Sequence, residues 1–374
     1  MTSTNERLFS KSVYTDLVRL PTQRKCHVIN TFWPHLKLDE EAYIQEDYSD
    51  LFEHIGRVLS SLHQHETKFD DKFLDSLLAT LTELTAHRIS TKEALVTKIK
   101  SKYSDARDDA VARSVELTAR LWLGVHVSSR QLSVGPINPR DTRIEWPNDQ
   151  PLDQIVAAQF RQRFLRAVDD EYSLDDSFTV VNLKAICRIH IRWTDNLVDH
   201  LKLEGPRGHR ILSIYRHKIC LVNHLKGPDP TVIERGVLDE AIRTLDLLFP
   251  FGDLKTAEFL KAERVHFHSM PPSEFSQPIN LAEFTYWRNN LSQLLRLLNG
   301  PPETIAQTLL DRRNLSQFAT LWVAIFGVFF LTILFGILAT VYSIKQYRIA
   351  VRSYELALVL ACREDPTIPG FCQL

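Results

Sequence analysis

Glycine is scarce. Twelve glycines in 374 residues leave little material for loops that cradle phosphates. No G-x-x-x-x-G-K-[ST], G-x-G-x-x-G or G-x-S-x-G occurs, so the usual nucleotide-binding and serine-nucleophile signatures are missing. H-E-x-x-H is also absent. The five cysteines, Cys26, Cys187, Cys220, Cys362 and Cys372, form no C-x-x-C, which removes a zinc knuckle. Odd in number and far apart, they do not suggest a disulfide scaffold, and reduced thiols are the expectation for Cys362 and Cys372. Neither sign of charge dominates: 45 Lys and Arg face 46 Asp and Glu, which excludes a general polyanion binder, and no nucleic-acid partner is expected. The first twenty residues carry Glu6, Arg7, Lys11, Asp16 and Arg19 without an apolar run, so they lack the make-up of a signal peptide. On these grounds neither a cofactor nor a metal is expected, and an enzyme is the less favoured class.

One long hydrophobic run is present. From Asn314 to Ile344 no residue carries a charge, and Arg313 and Lys345 bound the run. Its core, residues 319–341, would form a helix of about 34 Å against a hydrocarbon layer of about 30 Å. The run is apolar around its whole circumference and has no polar stripe to lay on a soluble core. Trp322 and Tyr342 suit the two interfaces, and Arg312, Arg313 and Lys345 flank them as anchors. This segment reads as a single transmembrane helix with the lipid bilayer as its partner. Its late position and the charged N-terminus predict a large cytosolic region, although charge bias does not fix the topology. Near the two ends of the span, Arg296, Arg312 and Arg313 oppose Lys345, Arg348, Arg352 and Arg363. On one stripe of the span, Thr332, Gly336 and Thr340 recur every fourth residue, as small side chains do where two helices pair; a weak homodimer is the matching expectation. Residues 349–362, interrupted by Arg352 and Glu355, read as a packed or interfacial helix.

The remainder reads as helical. Ile55, Val58, Leu59 and Leu62 share a face, as do Leu74, Leu77, Leu78, Leu81 and Leu84 behind Asp70 and Asp71. A helix is expected after Ser104, with Val111, Val115, Trp122 and Val125 aligned. Four prolines then punctuate an aperiodic stretch to Pro151. Beyond it, helices are expected over 178–203, 236–250 and from the capping-box pair Asn280 and Glu283 to Asn299; residues 210–217 are an ambiguous strand. The expected class is therefore all-α, mainly helical with room for one short strand or hairpin, plus a single C-terminal transmembrane helix. Its parts are an N-terminal helical region 1–126, a Pro-rich loop 127–151, a second helical region 152–313, the span 314–344 and a tail 345–374.

Histidines gather in the second half: His190, His200, His209, His217, His224, His266 and His268. Asp195 and Asp199 lie among them, so a metal site or a general base is conceivable. On a helical projection, however, His200 falls on the apolar side beside Trp193, while both aspartates fall on the opposite side. That projection makes His200 a core histidine. Asp195 and Asp199 then form a solvated or inter-helix face, with Asn196 hydrogen-bonding at the edge of the core. Asp195, Asn196 and Asp199 are the candidate functional surface. The sequons at Asn290 and Asn314 sit in a helix and against the bilayer, positions unsuited to glycosylation.

Four motifs occur in order: Arg120-Leu-Trp-Leu-Gly124, Trp193-Thr-Asp-Asn-Leu-Val-Asp-His-Leu201, Arg243-Thr-Leu-Asp-Leu-Leu-Phe-Pro250, and Asp311-Arg-Arg313 before the Trp-bearing span. Together, over roughly residues 110–344, they resemble an uncharacterised family of filamentous-fungal proteins with a helical soluble region and one C-terminal transmembrane segment. The resemblance implies placement and architecture but no catalytic residues. The long mixed tail departs from the family pattern. Two-helix magnesium channels also place their spans last, but they need a second span and a Gly-Met-Asn loop, and the methionines here are Met1 and Met270. A non-enzymatic interaction or scaffold protein at a membrane face is the leading functional expectation. A membrane-anchored hydrolase or metal-dependent enzyme built on residues 190–224 is the alternative.

Overall fold

The computed structural model describes residues 17–63, 74–102, 108–129, 139–160, 173–267, 279–300 and 315–364. Contacts gather the chain into two units, Met1–Glu303 and Thr304–Leu374. The architecture is mainly helical with a few short strands and one long apolar C-terminal helix.

The first unit begins with α1 (Thr22–Phe32), α2 (Gln45–His63), α3 (Leu74–Ala86), α4 (Lys92–Lys102) and α5 (Asp108–Leu123). The expected periods hold: Ile55, Val58 and Leu59 of α2 are buried, as are Leu77, Leu78, Leu81 and Leu84 of α3. Each such leucine contributes about 1.5–3 kcal/mol by leaving water. Acidic residues in their first turns, Glu46 and Asp47 of α2 and Asp75 of α3, complement the helix dipole. Nearly every residue of α5 is buried, including Arg113, Glu116 and Arg120. Within it, Glu116 pairs with Lys92, whose ammonium also donates to the Trp146 carbonyl at 3.3 Å. Residues 64–73 and 103–107, with Asp70, Asp71 and Ser104, lie outside the described residues.

The Pro-rich stretch is not a free linker. Its ends form β1 (Val127–Ser128) and β2 (Ile144–Glu145), which pair in parallel, and Trp146 is buried beneath Lys92. There follow α6 (Leu152–Gln159), β3 (Ser173–Leu174), α7 (Val180–Cys187), β4 (His190–Thr194), β5 (Leu203–Glu204) and β6 (Ile211–Tyr215). The order β4-β6-β5 makes a three-stranded sheet, with β4 parallel to β6 from His190↔Ile211 to Thr194↔Tyr215, and β5 antiparallel to β6. The continuous helix expected over 178–203 is therefore overturned. Thr179 caps α7, accepting from the Asn182 amide, but Arg188 turns left-handed at φ 53° and ends the helix after two turns. The β-branched and aromatic residues that follow then alternate as a strand.

The unit closes with α8 (Lys218–Leu225), α9 (Arg235–Leu248), α10 (Leu254–Glu263), β7 (Ile279–Asn280), which pairs with β3, and α11 (Arg288–Asn299). The capping box of Asn280 and Glu283 is present, but it caps one 3-10 turn over Leu281–Glu283 and not the long helix. The start of α11 is held instead by Glu240 of α9, whose buried carboxylate accepts from the amides of Thr285, Tyr286 and Trp287 at 2.6–3.0 Å.

The second unit holds α12 (Leu315–Glu364), fifty residues without interruption. Residues 319–364 are long and apolar enough to cross a membrane, and the most apolar window has no buried residue. The tail segment 349–362 belongs to this same helix and is not a separate packed element.

Candidate functional site

The Trp193–Leu201 string is a strand end followed by a turn knitted by its own side chains. Trp193, at the edge of β4, stacks on Phe249 at 5.7 Å and meets Phe267 edge-on at 5.9 Å. The Thr194 hydroxyl accepts from the Asn196 amide at 3.1 Å, which bends the chain out of the sheet. Asn196 is fully buried and spans three elements. Its Oδ1 accepts from the His126 amide at 3.2 Å, and its Nδ2 donates to the Thr142 carbonyl at 2.8 Å and to Asp199 Oδ2 at 2.7 Å. Asp199, equally buried, accepts from the Thr142 amide and hydroxyl at 2.8 and 2.6 Å and faces Lys202 at 3.2 Å. Burial raises the Asp199 pKa, yet these donors outweigh it and hold the carboxyl below its usual range.

His200 is a satisfied core histidine. Its Nδ1 accepts from the Tyr215 amide at 3.2 Å, its Nε2 meets the Thr244 hydroxyl at 2.8 Å, and burial pushes its pKa down to about 3. Leu201 follows with φ 58°, fixed by its amide on Ser213 and by the Asn290 side chain on its carbonyl at 2.8 Å. That bond commits the Asn290 amide to the interior. The Arg120–Gly124 motif abuts the same turn: the Gly124 carbonyl accepts from the Leu197 amide at 2.7 Å. Gly124 has φ +62°, and a Cβ there would run into the Tyr215 hydroxyl, so this approach requires glycine.

Asp195 has partners of its own. Its Oδ1 accepts from His217 Nε2 at 2.7 Å, and its Oδ2 lies 3.2 Å from His54 Nδ1 of α2. The two imidazoles are 4.9 Å apart between centroids. Burial opposes ionisation of Asp195, but His54 and His217 overcome it and hold the carboxyl well below its usual range. Burial pushes His217 down to about 4 against the pull of Asp195, so its neutral ring donates through Nε2.

Further ionisable groups line the same interior. Arg120 is lowered by burial to about 10, with Asp195 and Asp141 opposing that shift. His126 is lowered to about 3 by burial and by Arg120. Its Nδ1 stands 3.6 Å from Asp141, and neither ring nitrogen makes a hydrogen bond among the described residues. One turn before His54, Asp50 accepts from the His266 amide at 2.8 Å and faces Arg216 at 3.6 Å.

The solvated or inter-helix face expected of Asp195 and Asp199 takes another form, while Asn196 does hydrogen-bond within the core. Asn196 and Asp199 are interior clamps, and only Asp195 retains partial exposure, because a strand and turn replace the helix on which the projection rests. Sequence reasoning missed His54, Arg120, His126 and Thr142 as their partners. These come from elements far earlier in the chain, and no local period announces them. Two cavities, of about 340 and 770 Å³, lie elsewhere. The first is lined by Asp175, Thr179, Asn182 and Asp253, the second by Pro151, Gln154, Asp229 and Arg235.

On α12, Trp322 stacks with Phe326 at 5.4 Å and the Lys345 ammonium lies 5.9 Å from the Tyr342 ring centre. The hydroxyls of Thr332 and Thr340 donate to the carbonyls of Val328 and Gly336, each at 2.8 Å, and nothing lies within 4 Å of a Cβ built at Gly336. Arg312 and Arg313 lie outside the described residues, as do His268 and Cys372. Cys362 is disulfide-bonded, against the expectation of a reduced thiol, whereas Cys26, Cys187 and Cys220 are buried thiols.

The chain matches no protein-family profile, and neither the curated proteins nor the solved structures contain a significant match.

Proposed function

We propose that this chain is a single-pass membrane-anchored helical protein that acts as a non-enzymatic interaction or scaffold component at a membrane face, its large unit in the cytosol. The observation that carries the reading is α12, where Val323, Phe326, Phe329, Phe330, Leu334, Phe335 and Ile337 are all exposed on one helix. In water that display would drive aggregation; in lipid it needs no partner. The orientation draws on redox contrast: Cys362 beyond the apolar run is disulfide-bonded while Cys26, Cys187 and Cys220 of the helical unit are thiols. Protease added to intact microsomes should digest the large unit and spare a tail fragment, and the full chain should resist carbonate extraction. Protection of the large unit would reverse the orientation; release by carbonate would remove the anchor.

A second reading, a membrane-anchored hydrolase or metal-dependent enzyme using residues 190–224, is favoured by the meeting of His54, Asp195 and His217. It stands second because, among the described residues, these three line neither of the two cavities above. Membership of the fungal single-span family belongs to the same proposal. It predicts that family members keep Thr194, Asp195, Asn196 and Asp199 together, and free variation there in an alignment would break it.

A further inference from the structure

We propose that His54, Asp195 and His217 bind one divalent transition-metal ion of the zinc class, joining α2 to the ends of β4 and β6. The three residues offer ligand atoms that all lie within 4.8 Å of one another. For metal–ligand bonds of about 2.0–2.1 Å, neighbouring ligands of a tetrahedral or octahedral ion stand about 2.9–3.4 Å apart. His217 Nε2 lies 2.7 Å from Asp195 Oδ1 and His54 Nδ1 lies 3.2 Å from Asp195 Oδ2, the second within that range. The second is the informative one. His54 Nδ1 is buried and close to the carboxylate, yet it makes no hydrogen bond among the described residues. Unaligned with the carboxylate, that nitrogen keeps its lone pair available to an ion seated beside Asp195. The pair His217 and Asp195 is a sound hydrogen bond, and an ion would take the place of its proton.

Two imidazoles and one carboxylate select zinc, cobalt, nickel or ferrous iron; calcium and magnesium require oxygen ligands throughout. The remaining coordination position lies on the Asp195 side, where the carboxylate is 22% exposed against 7% for His54 and 3% for His217, so water reaches the ion from there. Arg120 and Arg216 work against a dication in this interior, and the carboxylate of Asp141 opposes the first while Asp50 faces the second. The ligands come from residues 54, 195 and 217, so binding would cross-link distant parts of the helical unit and stabilise it. The inference is independent of the membrane reading.

The test uses the full chain in detergent, purified without a histidine tag, stripped with a chelator and titrated with Zn²⁺ or Co²⁺. One ion per chain, a melting temperature that rises with metal, and Co²⁺ visible bands without thiolate charge transfer are expected. Asp195→Asn and His54→Gln should each weaken binding by more than about tenfold, while His266→Gln should bind as the parent does. Absence of stoichiometric metal in the parent, or parent-like affinity in Asp195→Asn, overturns the site. Should the variants fail to fold, the parent Co²⁺ spectrum decides: a thiolate band or no band counts against it.

Discussion

The helical unit and α12 solve opposite solvation problems. In the first, polar and charged groups are taken inside and matched: Lys92 with Glu116, Asp199 with Thr142 and Asn196, Glu240 with three backbone amides. In the second, large apolar side chains face outward around the helix, and the hydroxyls of Thr332 and Thr340 are turned back onto helix carbonyls. A buried charge must be paired to be tolerable, whereas an exposed phenylalanine row is tolerable only in a solvent other than water. The contrast separates a unit that matches its polar groups inside from a helix long and apolar enough to cross a membrane.

The largest effect should come from breaking the lipid side. Leu331→Arg with Leu334→Arg places two guanidinium groups mid-span, each costing about 2.5–3.5 kcal/mol of insertion. The double variant should move from the carbonate-resistant pellet to the supernatant; unchanged retention would mean that α12 does not cross the bilayer.

Glu116→Ala attacks the opposite side by leaving the Lys92 ammonium buried and unmatched. A loss of about 3–5 kcal/mol is expected in urea unfolding of the full chain in detergent. Glu116→Gln with Lys92→Met, which removes both charges, should recover much of it. A single variant as stable as the parent would show that water reaches the pair.

Acid should separate the two regions without mutation. His200 and His224 are buried, with burial lowering them to about 3 and about 4, the latter against its bond to the Trp122 carbonyl. The unfolded chain titrates these rings near a pKa of about 6.5 and so takes up protons first. Stability is thus complete above about pH 6.5 and drains as pH falls toward the folded values, by about 2 kcal/mol per ring at pH 5. Urea midpoints at neutral pH and at about pH 5 measure this, while the helicity of α12 should not change. Equal midpoints would place both rings in contact with solvent.

The smallest effect concerns the stripe of Thr332, Gly336 and Thr340. Because both hydroxyls are committed within the helix, any pairing rests on close backbone approach at Gly336. Gly336→Ile should reduce cross-linking between copies in membranes and Gly327→Ile should not; equal behaviour would leave the stripe facing lipid.

What can be read from sequence divides along the same line. The candidate span needs no tertiary context, since length and lack of charge suffice to mark it. The apolar periods of α2 and α3 likewise translate directly into buried faces. The 178–203 segment does not, because its apolar spacing fits both a helix and a strand, and the left-handed Arg188 that chooses between them leaves no mark in composition. A helix there projects Asp195 and Asp199 onto a solvated or inter-helix face away from the core. Their true partners, His54 and Thr142, arrive from elements whose approach no local rule encodes. The capping box at Asn280 is a milder case: the motif forms, but Glu240 begins the next helix.

The fifty-residue length of α12 has a mechanical consequence. Between Ile337 and Glu364 the helix contains neither proline nor glycine. At about 1.5 Å per residue, the stretch past Val341 extends about 34 Å as a stiff strut. Such a rod has no hinge at which to lose torque. A rotation or tilt imposed on its apolar half would reappear about 34 Å away, at the distal end near Glu364.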